Sequence, residues 1–128
     1  MKLELRILLV DDDDDLRDLL HTLLSLHGYS VAEADTGGLA MDLLRNQEFD
    51  LVLLDLTLPD GSGFRVAEFL RANNLPGKVI VITGTDGLDN ALRGAALGVQ
   101  DYITKPFKPQ YLLKSIEHAF SIEVLDKS

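Results

Sequence analysis

The fold is indicated first by residues 6–15, which read Arg6-Ile7-Leu8-Leu9-Val10-Asp11-Asp12-Asp13-Asp14-Asp15. Its residues 7–10 are all apolar, and an uninterrupted apolar run is typical of a strand that is covered on both faces. The acidic residues behind it suit a helix start, because carboxylates there bind free amides and complement the helix dipole. The stretch therefore predicts a buried strand that leads into a helix, with Asp13 as N-cap and Asp14 and Asp15 in the first turn.

The same strand–helix unit is repeated along the chain. The predicted strands are residues 6–10, 29–34, 51–54, 78–83 and 100–104. Segments with the apolar spacing of an amphipathic helix follow them at residues 16–24, 39–44, 64–71, 88–97 and about 110–120. Residues 29–34 mix polar and apolar side chains, which suits an edge strand. Regular alternation predicts an α/β domain with a parallel sheet, right-handed crossovers and helices on both faces.

Composition limits the classes of function. A chain of 128 residues with 26% charged residues fits one globular domain, and the lack of cysteine excludes thiol catalysis and disulfide frameworks. The formal net charge of −9 would repel a phosphate backbone, so we expect no direct binding of nucleic acid. No apolar run is long enough for a signal peptide or a membrane span, so we expect a soluble, cytoplasmic protein.

Acidic residues follow two of the predicted strands. Asp11 and Asp12 come after the first strand and Asp55 after the third. Ligand sites of parallel sheets form at the carboxyl ends of the strands, and neighbouring strands would bring these carboxylates together. At about 4 Å and an effective dielectric near 20, each pair repels by about 4 kcal/mol. A divalent cation would offset this repulsion, and an all-oxygen ligand set indicates Mg²⁺.

Two further strand ends offer groups that could bind phosphate. Thr83 ends the fourth strand, and Lys105 follows the fifth. Alone, Thr83 would be an ordinary strand or cap residue, and Lys105 a solvated loop residue. At the same sheet edge as three carboxylates, Thr83 becomes a hydroxyl donor, and Lys105 becomes a counter-charge and a hydrogen-bond donor to phosphate.

Together these motifs resemble the receiver domain of bacterial response regulators, the CheY-like domains of two-component phosphorelay signalling. The resemblance extends over about residues 2–120 and is carried by Asp11-Asp12, Asp55 with Pro59 and Gly61, Thr83-Gly84, and Tyr102 with Lys105-Pro106-Phe107. It implies a single doubly wound, flavodoxin-like (βα)5 domain with strand order 2-1-3-4-5. Residues 1–121 would form the receiver domain, and residues 122–128 a tail or the start of a linker.

The resemblance implies that Asp55 takes a phosphoryl group from a sensor histidine kinase or a phosphotransfer protein. The receiver would catalyse its own phosphorylation and dephosphorylation, while acting mainly as a signalling switch. Thr83 and Lys105 would bind phosphoryl oxygens, and the aspartyl phosphate would be transient. The reaction would require Mg²⁺, and its implied ligands are Asp11, Asp12, Asp55 and the backbone carbonyl of Thr57.

The resemblance also implies a conformational switch. The Thr83 hydroxyl would move toward the phosphoryl group, and Tyr102 would turn inward beside it. This would change the surface made by the fourth helix, fifth strand and fifth helix. That surface would signal to a downstream protein, to an output domain absent from this chain, or to a second copy in a phosphorylation-dependent homodimer. The family also implies a cis peptide bond before Pro106.

Other functions of the same architecture fit less well. The acidic run would repel the phosphate of a flavin or a dinucleotide, and no G-x-G-x-x-G motif follows Val10. A haloacid-dehalogenase-type phosphatase needs a second aspartate two positions after the nucleophile, where this chain has Thr57. The alternative that remains is a receiver-like interaction module that signals without phosphate. A stable phosphorylated species would distinguish the two.

Overall fold

The structure, a computed structural model, describes residues 4–84 and 87–126. The strands of its main sheet, numbered in chain order, are β1 (Arg6–Val10), β2 (Ser30–Ala34), β3 (Leu51–Leu54), β4 (Lys78–Thr83) and β5 (Asp101–Thr104). All five are parallel and lie in the order β2-β1-β3-β4-β5. This confirms the predicted α/β fold and strand order, with the strand of mixed polarity, β2, at one edge.

Helices alternate with these strands and cover both faces of the sheet. They are α1 (Asp14–Leu26), α2 (Gly37–Asn46), α3 (Phe64–Ala72), α4 (Leu88–Ala96) and α5 (Pro109–Asp126). Successive strand residues point to opposite faces, so Leu8 and Val52 pack toward α2 and α3, whereas Ile7 and Leu51 pack toward α1 and α5. The apolar strands of the sequence are therefore buried on both sides.

Most of the predicted boundaries agree with the structure. The sheet strands differ by one residue at most, because β2 begins at Ser30 and β5 at Asp101. Asp13 is the N-cap of α1, with its side chain accepting from the amide of Leu16. α5 continues through Asp126, and the division at residue 121 stays a prediction. Within the described part of the chain, we find no helix both long and apolar enough to cross a membrane.

A short hairpin after β3 was not predicted. Thr57–Leu58 pairs antiparallel with Gly61–Ser62, and the turn between them holds Pro59 and Asp60. The hairpin closes on Gly63, whose amide donates to the carbonyl of Leu56 at 2.8 Å. A side chain at position 63 would place its Cβ 2.0 Å from the backbone oxygen of Asp55, so glycine is required there. The hairpin base therefore packs directly on the residue that ends β3.

Candidate functional site

Four predicted site residues meet at the carboxyl edge of the sheet. Asp11, Asp55 and Lys105 each follow a strand, and Thr83 is the last residue of β4. Their backbones continue the ladder beyond the strands, since Asp55 N donates to Val10 O at 2.9 Å and Lys105 N donates to Thr83 O at 2.8 Å. The sheet thus fixes the backbone positions from which these side chains extend.

Three carboxylates form a cluster at this edge. One oxygen from each of Asp11, Asp12 and Asp55 lies within 4.8 Å of the others. Asp11 and Asp55 are 2% and 5% exposed, and Asp12 is open to solvent. Because β1 and β3 are neighbours, the predicted approach of these groups is confirmed. Mg²⁺ prefers carboxylate oxygens and usually keeps several water ligands, for which the solvent-exposed side of the cluster leaves room. The residues therefore fit that ion.

Lys105 lies between the two buried carboxylates. Its Nζ is 2.8 Å from Oδ2 of Asp11 and 3.0 Å from Oδ2 of Asp55. Burial opposes the ammonium, but the hydrogen bonds to Asp11 and Asp55 prevail and raise the pKa of Lys105. Burial also raises the pKa of Asp11, against the lowering effect of the bond from Lys105. One ammonium beside three carboxylates leaves a surplus of negative charge that a divalent cation would neutralise.

The second oxygen of each buried carboxylate binds a backbone amide. Oδ1 of Asp11 accepts from the amide of Asp13 at 2.9 Å. Oδ1 of Asp55 accepts from the amide of Thr57 at 3.1 Å. Each side chain is therefore held from both oxygens, by an amide on one side and by Lys105 on the other.

Arg17 supports the acidic loop, and its role was not predicted. Its guanidinium donates to the backbone oxygen of Asp11 at 2.8 Å, to Glu33 at 3.0 Å and to Asp14 at 2.7 Å. The second oxygen of Glu33 contacts His21 Nδ1 at 2.7 Å. The spacing of Asp14 and Arg17 on one helix face was a signal for their ion pair. The contact with Glu33 depends on how β2 packs and left no local signal.

The residues predicted to form the switch lie next to this edge. Thr83 is fully buried, and its neighbour in the β-ladder is Thr104 of β5. Tyr102 is half-buried and packs against the core on the α3 side of the sheet. A Cβ at Gly94 of α4 would lie 3.9 Å from the Tyr102 ring. Thr57 is exposed in the hairpin. The Lys105–Pro106 peptide bond is cis, as the resemblance implied.

The sequence profile of the response regulator receiver domain matches residues 7–117 of this chain. The chain belongs to the response regulator receiver domain family. It is therefore a receiver of two-component signalling, as its motifs predicted. The acidic cluster and Lys105 lie inside the matched region.

Relatives of the receiver agree in sequence and in structure. The cell cycle response regulator CtrA of Brucella ovis is 33% identical over 112 residues, which are 88% of this chain and 48% of that protein. The receiver thus spans about half the length of the curated relatives it matches. A CheY-like receiver domain protein from Methanospirillum hungatei JF-1 is 32% identical with a TM-score of 0.87, covering 94% of this chain and 97% of that one. The non-phosphorylated HemR receiver domain from Leptospira biflexa is 40% identical with a TM-score of 0.82, covering 88% of this chain and 91% of that one.

Proposed function

We propose that this receiver is phosphorylated on Asp55 by the phosphohistidine of a sensor histidine kinase or phosphotransfer protein in the cytoplasm. The reaction uses Mg²⁺, whose ligands are Asp11, Asp12, Asp55 and the backbone carbonyl of Thr57. The observation that carries this proposal is the pair of hydrogen bonds from Lys105 to Asp11 and Asp55. It places an ammonium beside the acceptor carboxylate and inside the acidic cluster.

The contacts of Asp55 suit an in-line phosphoryl transfer. A carboxylate oxygen of Asp55 attacks phosphorus, the bond from phosphorus to the donor's imidazole nitrogen breaks, and its electron pair stays on that nitrogen. Phosphoryl transfer requires mainly positioning and charge stabilisation. The amide of Thr57 and the ammonium of Lys105 fix the nucleophile, and Lys105 can donate to an oxygen of the arriving group. Bound Mg²⁺ supplies the positive charge that lets an anionic donor approach the carboxylates.

The phosphoryl group then drives a switch through Thr83 and Tyr102. A phosphoryl group adds negative charge and acceptor oxygens, which attract the Thr83 hydroxyl. Tyr102 lies on the adjacent strand and borders α4 near Gly94, so its movement changes the surface of α4, β5 and α5. The receiver signals from this surface to a downstream protein, an output domain or a second copy.

Intact-mass spectrometry tests the proposed phosphorylation. The receiver is incubated with acetyl phosphate and Mg²⁺, with an EDTA-treated sample beside it. We expect the mass of one phosphoryl group to appear with Mg²⁺ and to be absent with EDTA. A folded receiver that gains no phosphoryl group from acetyl phosphate or from autophosphorylated kinases would instead support an interaction module that signals without phosphate.

Asp12→Asn should separate metal binding from folding. One oxygen of its carboxylate lies within 4.8 Å of an oxygen of each of two other carboxylates. Removal of its negative charge should raise the free energy of unfolding by on the order of 1 kcal/mol after solvent screening. We expect the melting temperature without metal to rise by roughly 3–5 °C, and the further rise on adding Mg²⁺ to be much smaller than in the parent. Thermal unfolding with and without Mg²⁺ measures both.

Asp15→Asn is the matched control, since Asp15 belongs to the same acidic run but lies in the first turn of α1. Loss of its favourable dipole interaction should lower stability slightly, by about 0.3–1 kcal/mol, and leave the Mg²⁺ effect intact. Equal Mg²⁺ effects in Asp12→Asn and the parent would remove Asp12 from the ligand set.

An apolar groove beside the site supports a protein as phosphodonor. It has a volume of about 230 Å³ and borders the site at Lys105. The other lining residues are the N-cap of α1 and apolar residues of α1 and of the chain after β5: Asp13, Leu16, Leu19, Leu20, Pro106, Phe107 and Pro109. Leu19 is 55% exposed there. An exposed apolar groove that is continuous with the acceptor site suits the apolar face of a donor helix.

Leu19→Glu should therefore slow transfer from a kinase but not from a small phosphodonor. The variant loses a leucine that a bound donor would cover, and it places a charge in that contact. We therefore expect a decrease of roughly tenfold or more in the rate of transfer from the kinase that phosphorylates the parent fastest. Leu26→Glu, at the other end of α1 and 79% exposed, is the control and should have little effect. An equal loss with acetyl phosphate would show that Leu19 acts on the site itself.

A further inference from the structure

Asp60 binds the N-terminus of α2 from a different part of the chain. Its Oδ1 accepts from the amide of Gly37 at 2.9 Å, and its Oδ2 accepts from the amide of Gly38 at 2.8 Å. The next amide, of Leu39, donates to the N-cap side chain of Thr36 at 3.1 Å. Helix N-terminal amides are usually satisfied by the helix's own cap or by water. Here two of them are satisfied by the turn of the hairpin that follows β3.

The two glycines leave room for this carboxylate. A Cβ at Gly37 would lie 3.4 Å from Oδ1 of Asp60 and 3.1 Å from the guanidinium of Arg65, and one at Gly38 would lie 3.3 Å from Oδ2. Arg65 adds an ion pair to Asp60 at 3.3 Å. The amides of Gly37 and Gly38 lower the pKa of Asp60, so the bound form is the carboxylate. The link is thus a close-fitted contact between helix and hairpin.

The same hairpin is fixed to the acceptor at its other end. The amide of Thr57 binds Oδ1 of Asp55, and Gly63 packs against the Asp55 backbone oxygen. Thr57 pairs with Ser62 in the hairpin ladder. The hairpin therefore runs from Asp55 at its base to α2 at its turn, and the Thr57 carbonyl belongs to the segment between the two attachments.

We propose that Asp60 is a positioning residue that holds the hairpin on α2, so that the Thr57 carbonyl stays at the metal site. This inference rests on the proposed Mg²⁺-dependent phosphorylation of Asp55. Mg²⁺ requires near-ideal octahedral geometry, and a ligand carried by a loop meets that requirement when the loop is fixed on rigid elements. Asp60 acts through the hairpin and touches neither the metal nor the phosphoryl group.

Asp60→Ala should weaken Mg²⁺ binding with little effect on the chemical step. We expect the Mg²⁺ concentration for half-maximal phosphorylation by acetyl phosphate to rise about tenfold, with the rate at saturating Mg²⁺ within about twofold of the parent. Calorimetric titration with Mg²⁺ alone should show the same loss of affinity. Asp60→Asn keeps one acceptor oxygen and should lie between the parent and the alanine variant.

Two control variants separate positioning from a general loss of stability. Thr36→Ala removes the N-cap of α2 without touching the hairpin, so it should lower the melting temperature but leave the Mg²⁺ requirement unchanged. Asp42→Ala removes an exposed aspartate elsewhere on α2 and should change neither. An unchanged Mg²⁺ requirement in Asp60→Ala, or an equal shift in Thr36→Ala, would overturn the inference. A parent receiver that takes no phosphoryl group would instead refute the proposed function.

Discussion

Asp55→Asn is expected to abolish phosphorylation by acetyl phosphate in the presence of Mg²⁺. The amide keeps the shape of the carboxylate and can still accept from Thr57, but it carries no charge and is not a nucleophile. Removal of an essential nucleophile should reduce the rate by on the order of 10³-fold or more. Intact mass after incubation measures the result directly, and circular dichroism verifies that the variant is folded.

Asp18→Asn is a suitable control for this experiment. Asp18 is an exposed aspartate on α1, and its replacement changes the net charge by the same amount. We expect Asp18→Asn to be phosphorylated at the parent's rate with acetyl phosphate. Phosphorylation of Asp55→Asn at the parent's rate would place the acceptor elsewhere in the chain.

Lys105→Met is expected to have the second-largest effect, because it should lower both the free energy of unfolding and the rate of phosphoryl transfer. Its removal leaves Asp11 and Asp55 buried without their ammonium. Breaking a buried ion pair by removing one partner should lower the free energy of unfolding at neutral pH by about 3 kcal/mol. The rate of phosphorylation should decrease by about 10- to 100-fold, because one donor to the phosphoryl oxygens is lost.

The stability defect of Lys105→Met should depend on pH in a defined direction. The pKa of Asp11 is already raised by burial, so the folded state binds this proton more tightly than the unfolded state. Ionisation of Asp11 therefore lowers the free energy of unfolding as the pH rises above 3.8, the ordinary pKa of an aspartate. Without Lys105 this cost is larger and extends to higher pH. The variant should approach the parent's stability near pH 4 and differ most at pH 7.

Urea unfolding at the two pH values measures this difference, and added Mg²⁺ should restore part of the loss at pH 7. Lys108→Met, an exposed lysine of the same loop, should leave stability within about 0.5 kcal/mol of the parent. A defect of Lys105→Met that is the same at both pH values would show that the loss comes from packing and not from the carboxylates.

The parts of this receiver that could be predicted from sequence are those with local causes. Val10 and Leu54 end continuous apolar runs, so the strand ends and the aspartates behind them were identifiable. Because β1 and β3 are neighbours in a parallel sheet, Asp11 and Asp55 had to meet at one edge. Lys105 was placed at the same edge for the same reason.

The parts that were missed depend on tertiary contacts. A hairpin with two-residue strands is too short to show a strand periodicity, so residues 57–62 carried no signal for it. Asp60 carried no local signal for its role, because its partners Gly37 and Gly38 are 23 and 22 positions away in the sequence. Arg17 likewise gains Glu33 only when β2 packs beside α1. These contacts support the site without belonging to its motif.

Chemical mapping of the phosphorylated residue tests the central claim most directly. Borohydride reduces an aspartyl phosphate to homoserine, and peptide mass spectrometry then locates the altered position. After incubation with acetyl phosphate and Mg²⁺, we expect homoserine at position 55 and at no other aspartate. Homoserine at Asp11 or Asp12, or a phosphoryl group on a serine, threonine or histidine, would contradict the assignment of Asp55 as the acceptor.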